Sequence, residues 1–354
     1  MEPIIYELPI INEIINLDSN KFHYEPDPSP KLIKYGYNTI NEQIDIASIT
    51  TIPQYRASLR FDFQNEDENN MTSILSKTFL INKVDATFAE FWEILTLFGF
   101  FETELNIATN HPEIIENIVK AYQSITGEKN QYEIISIKSN KKKNDKIKTL
   151  VIFKYSDSEI DLDENAAIDI ILDNLNVLLD LQNQGSNMIL QLFDLQTQTS
   201  IELIYYLCSL YERAYLFQPL STFDLSDSKY IIITGMKNIN SIAKFTLNKN
   251  NDDLYLISFG IQNISHEMTM IIQCMNSYII PRKYIKYKQI EDYLSKKVYE
   301  GATYNEMITI QKTNSKNWIE LFSNIQNTRK MIDQIIQRTM EKCSSFSKLL
   351  ELYK

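Results

Sequence analysis

The chain is short of glycine, cysteine and histidine, with 7, 3 and 3 residues of each type in 354. The three cysteines, Cys208, Cys274 and Cys343, lie far apart in apolar or helical contexts. An odd count without paired spacing excludes a disulfide framework and a zinc cluster, and it points to a reducing compartment. His23 and His266 have no serine or carboxylate at a suggestive spacing, so no nucleophilic triad is expected. No apolar run reaches the roughly 18 residues of a membrane span. Met1-Glu2-Pro3 has neither the basic start nor the apolar stretch of a signal peptide, so a cytoplasmic protein without membrane attachment is expected. Positive charge is also in deficit: 35 basic residues against 46 acidic ones leave a formal net charge of −11. Nucleic-acid affinity rests largely on neutralising phosphates, so such a chain needs a localised basic patch, or a partner that holds the nucleic acid instead.

What is present suffices for a large core, since 44% of the residues are hydrophobic, enough for one large domain or two. The organising stretch is Gln184–Lys237, which reads strand, helix, strand, loop, strand. Asn187–Phe193 is a short apolar run after Gly185, Ile201–Tyr211 is apolar on nearly every face, and Tyr215–Gln218 and Tyr230–Thr234 are β-rich. A helix apolar all round is buried, and continuous apolar strands belong to a covered parallel sheet, so this stretch predicts one half of an α/β sheet.

Residues 1–70 read as an N-terminal extension that packs on the sheet or docks on a partner. Ile4–Leu17 is weakly periodic, Glu25–Pro30 is proline-rich and non-helical, and Gln64–Asn70 is a polar acidic loop. Thr87–Phe98 predicts a core helix with Phe88, Phe91, Trp92, Leu95 and Phe98 on one face. Glu104–Ala108 predicts a strand, and Glu113–Ile125 a helix. His111, before Pro112 in the turn between them, reads as a cap or turn residue before it reads as a catalyst. Tyr132–Lys138 and Thr149–Tyr155 are further strands, Glu164–Leu181 is a helix, and Asp253–Ile261 is one more strand, which closes a sheet domain over 71–263. Residues 264–354 form a helical C-terminal region. Its last helix, Ser315–Glu341, carries an apolar stripe through Trp318, Phe322 and Ile325 that suits either the sheet or another chain. Two basic segments, Lys141-Lys142-Lys143 and Arg282 to Lys288, are solvated faces in the plain reading and RNA-phosphate contacts in the sharper one. In the second, Arg282, Lys283 and Lys286 are interleaved with tyrosines, which suits phosphate contact combined with base stacking.

Gln184–Lys237 resembles the second half of the FtsJ-type RNA 2′-O-methyltransferases, above all the cap 2′-O-methyltransferases of large DNA viruses. Gly185, Ile189, Leu190, Pro219, Ser221 and Tyr230 match the family frame over some fifty residues without gaps. A composition rich in Asn, Ile, Lys and Tyr agrees with the AT-rich genomes of many such viruses. The resemblance implies a Rossmann-like class I methyltransferase sheet with helices on both faces. It also implies a Lys-Asp-Lys-Glu catalytic tetrad and a glycine turn that holds S-adenosylmethionine. Here the first lysine falls on Lys83, the aspartate on Lys154 or Tyr155 with Asp157 the nearest carboxylate, the second lysine on Gln191 and the glutamate on Ser228. The family's loop arginine falls on Phe223. The cofactor turn reads Ala108-Thr109-Asn110-His111-Pro112-Glu113, with no glycine to let the backbone approach a ligand.

An amide has no nitrogen that accepts a proton at neutral pH, so Gln191 cannot replace a lysine base. The chain is therefore expected to be a catalytically degenerate methyltransferase-like protein, a stimulatory or scaffolding subunit in mRNA capping or cap methylation. Its partner would be a larger capping-enzyme or methyltransferase subunit. Short matches to the small stimulatory subunit of the poxvirus capping enzyme agree, at Lys34-Tyr35-Gly36, Cys208-Ser209-Leu210-Tyr211 and Asp227-Ser228-Lys229. No cofactor and no metal are expected. The alternatives are an active cap 2′-O-methyltransferase with a rearranged site, using S-adenosylmethionine, and an α/β interaction protein unrelated to RNA modification.

Overall fold

The computed structural model describes residues 3–26, 53–63, 70–81, 84–102, 105–138, 148–155, 164–226, 228–237, 254–295 and 301–352. Lys34–Gly36, Lys83, Lys141–Lys143, Asp157 and Asp227 lie outside the described residues.

Seven strands form the central sheet: β1 (Ile4–Glu7), β3 (Leu105–Thr109), β4 (Tyr132–Ser136), β5 (Thr149–Phe153), β6 (Asn187–Leu192), β7 (Tyr211–Gln218) and β8 (Lys229–Met236), in the order β1-β7-β8-β6-β5-β3-β4. The pairs β3–β4, β3–β5 and β5–β6 are parallel, whereas β6–β8, β7–β8 and β1–β7 are antiparallel. The fold is thus mixed α/β. The continuous apolar run of β8 does not reflect parallel pairing: Ile231, Ile232 and Ile233 are fully buried in an antiparallel strand. Coverage of both faces, and not strand direction, removes the polar alternation.

Successive side chains of a strand point to opposite faces, and the core divides accordingly. Val151, Met188, Leu190, Ile231 and Ile233 face one layer, packed by α5 (Glu164–Asp180) and α6 (Gln198–Leu210). Leu150, Ile152, Ile189, Tyr230 and Ile232 face the other, packed by α3 (Ala86–Leu97) and α4 (Pro112–Thr126). Gly185 opens β6 at φ 79°, where its amide donates to Met236 O at 2.8 Å and an added Cβ would meet the Lys148 side chain at 3.0 Å.

The terminal regions are built into this sheet. Ile4 to Glu7 pair with Gln218 to Tyr215, so the N-terminal segment supplies the edge strand. The strand expected at Asp253–Ile261 is β9 (Tyr255–Ser258), which pairs outside the main sheet with β2 (His23–Glu25). The helix expected over Ser315–Glu341 is two helices, α8 (Ala302–Phe322) and α9 (Ile325–Leu352). The Trp92 indole donates to Phe322 O at 3.0 Å, taking a carbonyl that a continuous helix would give to the amide four residues on. Trp318 and Phe322 are fully buried with α3, and α9 lies along β1, where the Thr339 hydroxyl donates to Ile5 O. An edge strand covered in this way cannot recruit a foreign strand. Among the described residues, no helix is long and apolar enough to cross a membrane.

Phe322→Ala should therefore cost about 3–5 kcal/mol in urea unfolding. Ile310→Ala, at a 53% exposed position of the same helix, should stay within about 0.5 kcal/mol of the parent.

Candidate functional site

The chain leaves β3 through α4 to β4 on one side, and then returns to β5 on the other side of β3. Such a reversal leaves a crevice outside the carboxyl ends of the two strands, the usual ligand site of an open α/β sheet. Its walls here are Ala108, Thr109, Asn110 and His111 after β3, and Lys154 and Tyr155 after β5.

The crevice is spanned by the chain's own groups. The Asn110 carboxamide donates from Nδ2 to Lys154 O at 2.5 Å and accepts the Lys154 amide at 3.2 Å through Oδ1, so one side chain takes the part of a strand residue. His111 Nε2 lies 3.3 Å from the same carbonyl, which can only accept, so that nitrogen is the donor. His111 thus occupies the N-cap position of α4 without a side-chain capping bond, and its ring reaches across to β5 instead. Ala108 is buried in the strand.

Below this bridge, residues of like parity on β5, β6 and β8 converge on the α3 face. Lys154 is 7% exposed, and its Nζ donates to Glu90 Oε2 at 2.5 Å; the Tyr230 hydroxyl donates to the same oxygen at 2.6 Å. Burial, with Glu90 beside it, holds the Tyr230 phenol well above its ordinary pKa, so it remains a donor. Gln191 and Ser228, where the resemblance to FtsJ-type enzymes would put a lysine and a glutamate, meet directly. The amide Nε2 donates to Ser228 Oγ at 2.6 Å, and Oε1 accepts the Tyr155 amide at 3.0 Å. The structure therefore brings Gln191, Ser228, Asn110, His111 and Lys154 into one region. Phe223, at the position of the loop arginine, is 39% exposed.

The sequence reading missed Glu90 and Glu93. Both lie on α3, where every residue from Phe88 to Leu97 is buried, so the helix has no wet face. Glu93 Oε2 accepts the Leu220 amide at 2.6 Å, and Oε1 accepts the Ser221 amide at 2.8 Å and the Trp318 indole at 2.6 Å. Burial pushes its carboxyl up to about 7 against the opposing pull of these donors. The signal was available: two glutamates three residues apart in a helix apolar on every side must be internally paired.

The basic segment of α7 (His266–Ser295) lies elsewhere and is engaged internally. Arg282 stacks on Tyr278 with 4.4 Å to the ring centroid, and its Nη1 donates to the Tyr278 hydroxyl at 2.6 Å. Lys286 Nζ donates to Ser58 O at 2.6 Å and lies 3.8 Å from Asp224 Oδ2, bracing α1 (Pro53–Ser58) against the loop after β7. Lys283 is half-buried on the same helix. No group of three or more His, Cys, Asp or Glu able to hold a metal ion exists among the described residues.

No protein-family model matches the chain. The chain is 40% identical over 359 residues to a protein of Acanthamoeba polyphaga mimivirus named "Uncharacterized protein R383", with 100% of each chain covered. It belongs to the same family as that mimivirus protein.

Two outcomes follow from the buried charges. Lys154→Ala, which leaves Glu90 buried without its cation, should cost about 3–5 kcal/mol in urea unfolding, and the double variant Glu90→Leu, Lys154→Met should recover at least half of that loss. Glu93 has a folded-state pKa near 7 against 4.5 for the ordinary group, so the folded protein holds this proton more tightly than the unfolded chain. Its contribution is complete below about pH 4.5 and is lost as pH rises through about 7, on the order of 3 kcal/mol in all. Thermal unfolding followed across that window should show the decline in the parent protein and a flatter profile in Glu93→Gln.

Proposed function

We propose that this chain is a methyltransferase-type fold retired from catalysis, acting as a non-catalytic subunit of an mRNA capping or cap-methylating assembly. The observation that carries the reading is the Asn110 bridge: a side chain that pairs with both backbone groups of Lys154 stands where a cofactor's backbone contacts would form. These residues do not fit S-adenosylmethionine, because entry of the ligand would break the Asn110 bridge and leave the buried Lys154 amide without its partner.

The chemistry of the neighbouring positions supports the same conclusion. Methyl transfer to a ribose 2′-hydroxyl needs a group that polarises or accepts its proton. Gln191 and Ser228 instead satisfy one another in a buried hydrogen bond, and the Lys154 ammonium is committed to Glu90. The sheet reversal at β3 and β5 and the match of Gln184–Lys237 to the FtsJ-type frame favour a methyltransferase ancestry over an unrelated α/β interaction module. The viral origin of the 40% identical relative agrees with a capping role outside the host nucleus. The acidic net charge and the engagement of Lys286 with Ser58 and Asp224 favour a partner that holds the RNA.

Titration calorimetry of the full chain with S-adenosylmethionine should give no binding heat; micromolar binding would return the chain to the active enzymes. Co-expression with the large capping-enzyme subunit of the same genome should yield a co-purifying complex with a raised methyltransferase rate. Failure on both counts removes the subunit role.

A further inference from the structure

The two edges of the sheet differ. β1 lies under α9, whereas β4 at the other end has β3 and α4 for neighbours, and among the described residues no strand pairs with its outer side. The Ile137 amide donates to Thr109 O at 3.0 Å, so the backbone groups of Glu133, Ile135 and Ile137 are turned toward β3. Hydrogen-bonding direction alternates along a strand, so the amides and carbonyls of Ile134 and Ser136 point outward. Two common defences of a free edge are missing: β4 contains no proline, and its register with β3 runs without a bulge.

Charge selects what the edge can meet. Glu116 and Lys120 of α4, with Glu128 and Lys129 of the loop that follows, line a groove beside Tyr132 and Ile134; Glu133 stands on the strand and Lys138 just past it. All six charged side chains are exposed. Three carboxylates against three ammonium groups make this patch neutral on a chain whose net charge is −11. Two copies that repel one another elsewhere lose that repulsion here, and a patch with both signs in equal number is complementary to itself, as a two-fold interface requires. A basic partner would be drawn to the acidic remainder of the surface instead.

We propose that β4 is the interface between two copies of this chain, paired antiparallel across a two-fold axis so that their sheets run on as one. An axis normal to the sheet keeps each face on its own side, so one residue of the strand must oppose its own counterpart. Centring on Ile135 engages the whole outward row from Tyr132 to Lys138: Ile134 of each copy meets Ser136 of the other, and each such pair exchanges both backbone hydrogen bonds. Centring on Glu133 would set two carboxylates face to face.

Sedimentation of the full chain over a micromolar concentration series should show a monomer–dimer equilibrium, with hydrogen exchange slowing across residues 131–138 as the dimer fills. Ser136→Pro removes an outward amide that β3 does not use, a change that an edge strand tolerates. With its circular dichroism unchanged, this variant should weaken the dimer by about tenfold or more. Lys120→Glu combined with Lys129→Glu leaves five carboxylates against one ammonium and should weaken it comparably, most strongly at low salt. Both lysines are exposed, so this variant keeps the test decisive if Ser136→Pro does not fold. A parent chain that stays monomeric, a dimer protected elsewhere than 131–138, or a folded Ser136→Pro that dimerises like the parent would each overturn the proposal. Protection of 131–138 that arises only on adding the large capping-enzyme subunit would overturn it too, and would give the edge to a foreign strand.

Discussion

A carboxylate shut away from water is stable only if donors surround it, and in this protein one such carboxylate fixes three elements at once. Glu93 gathers the two amides of the loop after β7 and the indole of Trp318 on α8 onto the middle of α3. One turn earlier, Glu90 ties the same helix to β5 through Lys154 and to β8 through Tyr230. The helix that supplies much of the aromatic core thus also carries the two acidic side chains that set its height and rotation on the sheet. The same device recurs on the opposite face. Glu164 accepts the Gln196 and Thr197 amides at the start of α6, and Glu202 accepts the Phe259 amide beside β9. Apolar packing of this kind tolerates sliding; carboxylates aimed at backbone amides do not.

The crevice follows from that rigidity. With Lys154 held from below by Glu90, its backbone is presented to the Asn110 carboxamide at the spacing of a ladder pair. The Gln191–Ser228 bond then closes the next layer with an uncharged pair. A buried amide and hydroxyl need fewer neighbours than two buried ions, so the pair fits this layer without a charge.

Much of the architecture was legible in the sequence, and the reasons differ from element to element. The strands β3, β5, β6 and β8 and the helices α3 and α5 announce themselves through runs of apolar residues whose burial is local. The direction of β8 was not legible, because a strand covered on both faces reads the same either way. The division of Ser315–Glu341 into two helices was hidden as well, since it turns on a hydrogen bond from Trp92, far away in the chain. At the crevice, the missing glycines were visible in Ala108–Glu113, but the use made of Asn110 was not. A carboxamide can face solvent as readily as a neighbouring strand, and only the placement of Lys154 decides between them.

The edge strand bears on how the molecule is made. β1 is made well before its partner β7, and the threonine that covers it sits at position 339. During synthesis, Ile4, Ile5 and Tyr6 must wait, apolar and unpaired, while the rest of the sheet assembles without them. The earliest of the described strands is thus covered by the latest of the described helices, so a chain stopped short of α9 keeps that sheet edge open.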